Sequence, residues 1–159
     1  MWHTLFGSNW RNWGTGITVS NDRIYITGWS ESSWSGPDGE KPHHAYIGNR
    51  NIYILNLGVD GSYKWHTFYG SSSAVNGNSI VLEDDRAYVI GKSWNKWSGP
   101  NGEEPLHAYS GGDDIFVLKL GVEQPAQTTV TVPLSPAAKL MLLLSLLSVG
   151  AAFAGRKAA

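Results

Sequence analysis

The sequence contains no cysteine. That excludes a disulfide-stapled scaffold and a Cys-ligated zinc site. Charge is sparse and balanced, with 12 basic and 13 acidic side chains making up 16% of the residues and a net charge of −1. A basic field suited to nucleic acid is therefore missing. No Gly-x-Ser-x-Gly elbow, phosphate-binding loop or dinucleotide fingerprint occurs. The five histidines include no His-x-His or His-x-x-x-His pair, which argues against a metal site. What is present in quantity is Trp and Gly: 8 Trp and 19 Gly in 159 residues, with 12% aromatics. Such a chain is too apolar for disorder and points to an all-β protein with many turns.

These residues are unevenly spread. Every Trp lies between Trp2 and Trp97, whereas the stretch after Pro125 has seven Leu, no Trp and no acidic residue. The front part is an internal repeat. Trp2-His3-Thr4 returns as Trp65-His66-Thr67, Ser35-Gly36-Pro37 as Ser98-Gly99-Pro100, and His44-Ala45-Tyr46 as His107-Ala108-Tyr109, always 63 positions on. Aligned without a gap, residues 2–59 and 65–122 share 28 identities in 58 positions. Repeats of this kind signal a stacked architecture.

Each copy reads as four short strands. In the first they are 2–6, 14–20, 23–28 and 52–57; in the second, 65–69, 77–83, 86–91 and 115–120. The runs are β-branched and aromatic, and Gly, Asn, Asp and Ser clusters bound them. Asn21-Asp22 and Asp84-Asp85 are expected as tight hairpin turns. Between the third and fourth strands lies a long loop, 29–51 or 92–114, rich in Trp, Gly, Pro and His. Four antiparallel strands repeated head to tail predict two β-propeller blades.

Trp-x-Thr-x-x-Gly, a Gly-x-x-Ile strand, Arg-x-Tyr-x-x-Gly and Asp-Ile-Phe-Val-Leu-Lys-Leu at 114–120 together resemble the SBBP β-propeller repeats of bacterial secreted and surface proteins. The resemblance covers about residues 2–122 and implies a fold more than a function, because propellers host many activities. Propellers close with about 4–8 blades. Two blades therefore imply the C-terminal piece of a longer propeller, or assembly with other chains. With Met1 directly against the first strand, a truncated or fragmentary product is the favoured expectation.

The tail has a different character. Residues 140–155 form an uncharged apolar run, followed by Arg156-Lys157. With Ala137, Ala138 and Lys139 it predicts a short membrane helix with a cytoplasmic C-terminus. Gln124–Ser135 reads as a Pro- and Thr-rich linker. Val132-Pro133-Leu134-Ser135-Pro136, an apolar segment and a basic end resemble bacterial C-terminal sorting signals of the PEP-CTERM and Ile-Pro-Thr-Leu types, although no Pro-Glu-Pro is present. The expected organisation is residues 1–63 as the first blade, 64–123 as the second, 124–136 as linker and 137–159 as transmembrane helix with its basic tail.

Candidate chemistry centres on the long loop. Trp34, His44 and Tyr46 in the first copy, and Trp97, His107 and Tyr109 in the second, offer flat amphipathic faces and hydrogen-bonding groups suited to a glycan or protein ligand. The competing reading is structural: the aromatics are the loop's own small core, as packing that recurs in every blade would be. His3 and His66, beside strand Trp residues, read as packed rather than catalytic. Asp113-Asp114 offers oxygens to a cation, but Arg50 occupies the corresponding place in the first copy. Trp10, Trp13, Trp29 and Trp94 have no Trp mate and are the places to look for something peculiar to one copy. The resulting expectation is a non-enzymatic, cofactor-free, membrane-anchored or exported binding or scaffolding module. Its partners would be a membrane, a glycan or protein ligand, and further blades or copies of itself, with no nucleic acid. The alternative is a piece of a propeller hydrolase or lyase whose catalytic residues lie in missing blades.

Overall fold

Alternating apolar residues bounded by turn formers fold here into seven antiparallel strands and two sheets. The computed structural model describes residues 1–122, so the linker and apolar run expected at 124–159 lie outside the described residues. The strands are β1 (Asn12–Ser20), β2 (Arg23–Ser30), β3 (Asn51–Gly58), β4 (Tyr63–Tyr69), β5 (Val75–Glu83), β6 (Arg86–Ser93) and β7 (Asp114–Gly121). One sheet has the order β1-β2-β3-β4 and the other β5-β6-β7. No helix occurs among the described residues, and so none is long and apolar enough to cross a membrane. All seven strands lie in one compact unit.

β1, β2 and β3 sit 63 positions from β5, β6 and β7 at both ends. The β1–β2 connection is the two-residue turn Asn21-Asp22, with φ of 49° and 57°. Both residues are left-handed, as a type I′ turn requires, and Asn and Asp tolerate that conformation better than other non-glycine residues. Asp84 repeats it at φ 52°. The pairing slips between Gly14 and Gly16, and again between Gly77 and Ser79. The bulge is thus copied along with the strands.

Two expectations are corrected. Trp2–Phe6 belongs to no strand, although its mate Trp65–Tyr69 does. That mate does not open the second sheet either. It pairs with β3 and closes the first, in the register Ile52↔Tyr69, Ile54↔Thr67 and Asn56↔Trp65. A sheet therefore consists of three strands from one copy and one from the next. Among the described residues the second sheet has three strands rather than four. The physical reason is that extended pattern specifies a strand but not its neighbour. A segment such as Trp2–Phe6 becomes a strand only where a free edge meets it.

The core lies between the sheets. Tyr25, Ile52 and Ile54 of the first pack with Val75, Ile80, Ala87 and Val89 of the second. The other face of the first sheet carries Tyr53, Leu55, Leu57 and Phe68, covered by Trp34 and Tyr46 of the long loop and by Phe6. β3 is buried at every position. The sheets approach closely where β1 meets β5: Thr15 donates from Oγ1 to the Gly77 carbonyl at 2.6 Å.

A side chain at Gly77 has no room in this approach. Its Cβ would lie 2.8 Å from Ile52 Cγ2 and 3.0 Å from the Gly28 carbonyl oxygen. Gly77→Leu is expected to destabilise the fold by about 1–3 kcal/mol through overpacking. Gly121→Ala meets nothing within 4 Å, and should stay within about 0.5 kcal/mol of the parent. Urea denaturation followed by Trp fluorescence reads both.

Candidate functional site

The long loop opens on a turn that both copies build identically. Gly36 donates its N–H to the Glu40 carbonyl, and Gly39 donates to the Gly36 carbonyl. Gly99, Glu103 and Gly102 repeat the pattern. Pro37 and Pro100 occupy the second turn position, where proline's fixed φ fits, and Gly39 and Gly102 follow at φ +87° and +84°. A carboxylate locks each turn: Glu40 accepts from the Asp38 N–H at 2.9 Å and Glu103 from the Asn101 N–H at 3.0 Å. Hydrogen bonding with Asn101 holds the Glu103 carboxyl below the usual range. The recurrence of Ser-Gly-Pro-x-Gly-Glu is thus accounted for by the turn itself.

In the first copy the loop then folds back over its sheet. Trp34 is 6% exposed. Its ring stacks on His66 at 3.9 Å with an interplanar angle of 11°, and Tyr53 and Phe68 meet it edge-on. His66 comes from β4, so the stack joins one copy's loop to the next copy's strand. His66 also bridges polar groups: Nε2 lies 3.0 Å from the Trp34 carbonyl oxygen and Nδ1 2.7 Å from the Tyr63 hydroxyl. The carbonyl can only accept, so Nε2 carries the proton and the Tyr63 hydroxyl donates to Nδ1. Burial pushes the His66 pKa down, as does the neighbouring His43, although its hydrogen bond to Trp34 opposes this.

The loop then runs along the outer edge of β4. His43 donates its N–H to the His66 carbonyl, and Phe68 donates to the His44 carbonyl. His43 stacks on Trp65, and the His44 ring lies 5.0 Å from that of Tyr69. His44 Nδ1 is 3.0 Å from Thr67 Oγ1. Tyr46 donates its hydroxyl to the Asn49 carbonyl at 2.6 Å and meets Phe68 edge-on. Trp34, His44 and Tyr46 are therefore brought together, and their rings are engaged by the chain itself, whereas the buried Trp34 Nε1 has no hydrogen-bond partner. His66, Thr67 and Tyr63 complete the cluster. The sequence pattern placed His66 and Thr67 in the first strand of the second blade and Tyr63 at the end of the first, and so left them out of the site.

In the second copy the same residues line an open cleft. Trp97, Glu103, Pro105, His107 and Tyr109 face the β7 residues Ile115–Lys119 around about 330 Å³. Trp97 meets Phe116 edge-on, and Tyr109 donates to the Trp94 and Gly112 carbonyls. His107 and Leu106 are exposed, Leu106 almost fully at 99%. Among the described residues no strand corresponding to β4 lies against β7.

Two of the tryptophans without a mate, Trp29 and Trp94, fall into a compensated exchange. In the first copy Trp29 stacks on Trp13, the Arg50 guanidinium sits 4.2 Å over Trp29, and Arg50 pairs with Glu31 at 2.7 Å. The positions 63 further on hold Lys92, Trp94 and Asp113, where Lys92 lies over Trp94 and pairs with Asp113. One aromatic, one cation and one acid occupy the same three places in both copies with their roles permuted. Asp113 is thereby engaged by a cation, and Asp114 accepts two hydrogen bonds from Ser110. Among the described residues no three His, Asp or Glu side chains are placed to hold a metal ion. No protein-family model matches the chain, and no curated protein does.

Two predictions follow from the unequal copies. Trp34→Ala should cost about 3–5 kcal/mol, as for a buried Trp, and Trp97→Ala distinctly less, because Trp97 is only half-buried. Stability should also depend on pH through His66. Its lowered pKa means that the folded protein binds fewer protons than the unfolded chain. The stabilisation is full above the ordinary value of 6.5 and lost as the pH falls below it toward the folded value. Denaturant midpoints measured from pH 7.5 to 5 should fall, and His66→Phe should flatten the decline.

Proposed function

We propose that the chain is a β-propeller-type repeat module for binding or scaffolding, held at a membrane by its C-terminal apolar segment and carrying its repeats outside. The observation that carries this reading is the stacking of two sheets whose strands and bulges recur at a 63-residue spacing. Antiparallel sheets that pack face to face and share a strand with the next repeat are how a propeller is assembled. Closure takes about 4–8 such blades, so these two belong to a larger assembly. The uncharged run at 140–155 and the flanking Lys139, Arg156 and Lys157 supply the anchor and its orientation.

The aromatic loop fits the scaffolding side of this reading. Its Trp, His and Tyr hold a strand of the following repeat in place, and a glycan or protein ligand would bind on surfaces that this framework presents. The anchor is tested by fractionating cells that express the full chain. Recovery in the membrane pellet, resistance to carbonate wash and release by detergent are expected, with the repeats digested by protease added from outside. A full-length chain wholly in the soluble fraction would overturn the anchored reading.

A further inference from the structure

The first sheet provides a filled example of a slot that is open in the second. In the first, β4 lies between β3 on one side and loop residues His43 and His44 on the other, hydrogen-bonded to both. In the second, β7 and loop residues Leu106 and His107 line the two sides of the cleft, and among the described residues no strand runs between them. The face beside the slot differs as well, being covered by the second sheet in one case and open in the other. Ile52 and Ile54 are 0% exposed, whereas their counterparts Ile115 and Val117 are 78% and 69% exposed.

The chain also carries the strand that fits this slot. Trp2–Phe6 is the counterpart of Trp65–Tyr69 and belongs to no sheet. Its Phe6 already packs on the outer face of the first sheet. Phe6 packs against Trp34 and Tyr63, and Trp2 donates from Nε1 to the Val59 carbonyl. On that same face Ile17 is 66% exposed, whereas its counterpart Ile80 is buried between the sheets. One molecule therefore offers both halves of the interface that it contains internally, an open edge and face at β7 and an unpaired strand with an open face at its front.

We propose that the occupant of the slot is the Trp2–Phe6 segment of a second copy of this chain, added antiparallel to β7. The internal pairing fixes the register. Ile52↔Tyr69, Ile54↔Thr67 and Asn56↔Trp65 become Ile115 with Phe6, Val117 with Thr4 and Lys119 with Trp2. His3 of the second copy then stacks on Trp97, as His66 does on Trp34. The contact is head-to-tail. Copies add until the rotation closes a ring, which for about 4–8 blades means about two to four chains. The inference rests on taking the two sheets as successive blades and is independent of the membrane anchor, so the two readings fail separately.

The absence of cysteine gives a clean background for cross-linking. Full-length chain carrying Thr4→Cys and Val117→Cys, purified in mild detergent and gently oxidised, is expected to form disulfide-linked dimers and larger species. Thr4→Cys with Lys119→Cys is two residues out of register on the same side and should remain monomeric. Ile54→Cys with Thr67→Cys, the internal equivalent, should close within one chain and shows that the background folds. Thr4→Pro removes a ladder donor from the added strand. It should lower the associated mass by light scattering and leave the far-UV spectrum of the diluted monomer unchanged. Absence of an interchain disulfide at 4/117, closure within a single chain, equal linking at 4/117 and 4/119, or association that survives Thr4→Pro would each overturn the proposal.

Discussion

The pairing of β3 with β4 is the contact on which the rest of the arrangement depends. β4 begins the second copy in sequence yet ends the first sheet in space. By crossing that boundary it gives β3 a neighbour on each edge, and the packing layers give it cover on each face, so that β3 is buried along its whole length. β7 is its counterpart, and among the described residues it has neither a fourth strand nor a covering sheet. Its burial alternates between half-buried and exposed. Burying one large aliphatic side chain stabilises by about 1.5–3 kcal/mol. Equivalent residues thus contribute very differently according to whether the next repeat reaches them.

The aromatic loop serves the same contact. Its proline-glycine turn and locking glutamate fix the point at which the chain reverses, and Trp34 then lands on His66 of the borrowed strand. His43 and His44 cover the strand's outer edge with backbone hydrogen bonds, which is how an exposed edge is kept from indiscriminate pairing. At the sheet end, the permuted trio of Trp29, Arg50 and Glu31 in one copy and Trp94, Lys92 and Asp113 in the other ties the base of the loop to the strands. Three substitutions that look unrelated along the chain leave the local interactions of the same kinds.

Much of this was legible in the sequence, and what was not has a common cause. Seven of the eight expected strands lie where alternation and turn residues put them, within two residues at either end, because those signals are local. The Asn21-Asp22 turn is local too. The mate of Trp65–Tyr69 was not legible. Trp2-His3-Thr4 and Trp65-His66-Thr67 read alike, yet only the second finds an edge to join, and an edge is a property of the fold. For the same reason Trp34, His44 and Tyr46 could be named as a cluster, but His66, Thr67 and Tyr63 could not be added to it. The permuted trio is invisible to identity counting, since none of its three positions is conserved between the copies.

Hydrogen exchange resolved by peptide tests the borrowed strand most directly. In dilute, dissociated protein the amides of 65–69 should be protected together with those of 51–58, and those of 2–6 should exchange rapidly. If instead 65–69 exchanges as fast as 2–6 while 51–58 stays protected, the first sheet is not closed by a strand from the following repeat, and the account built on that pairing fails.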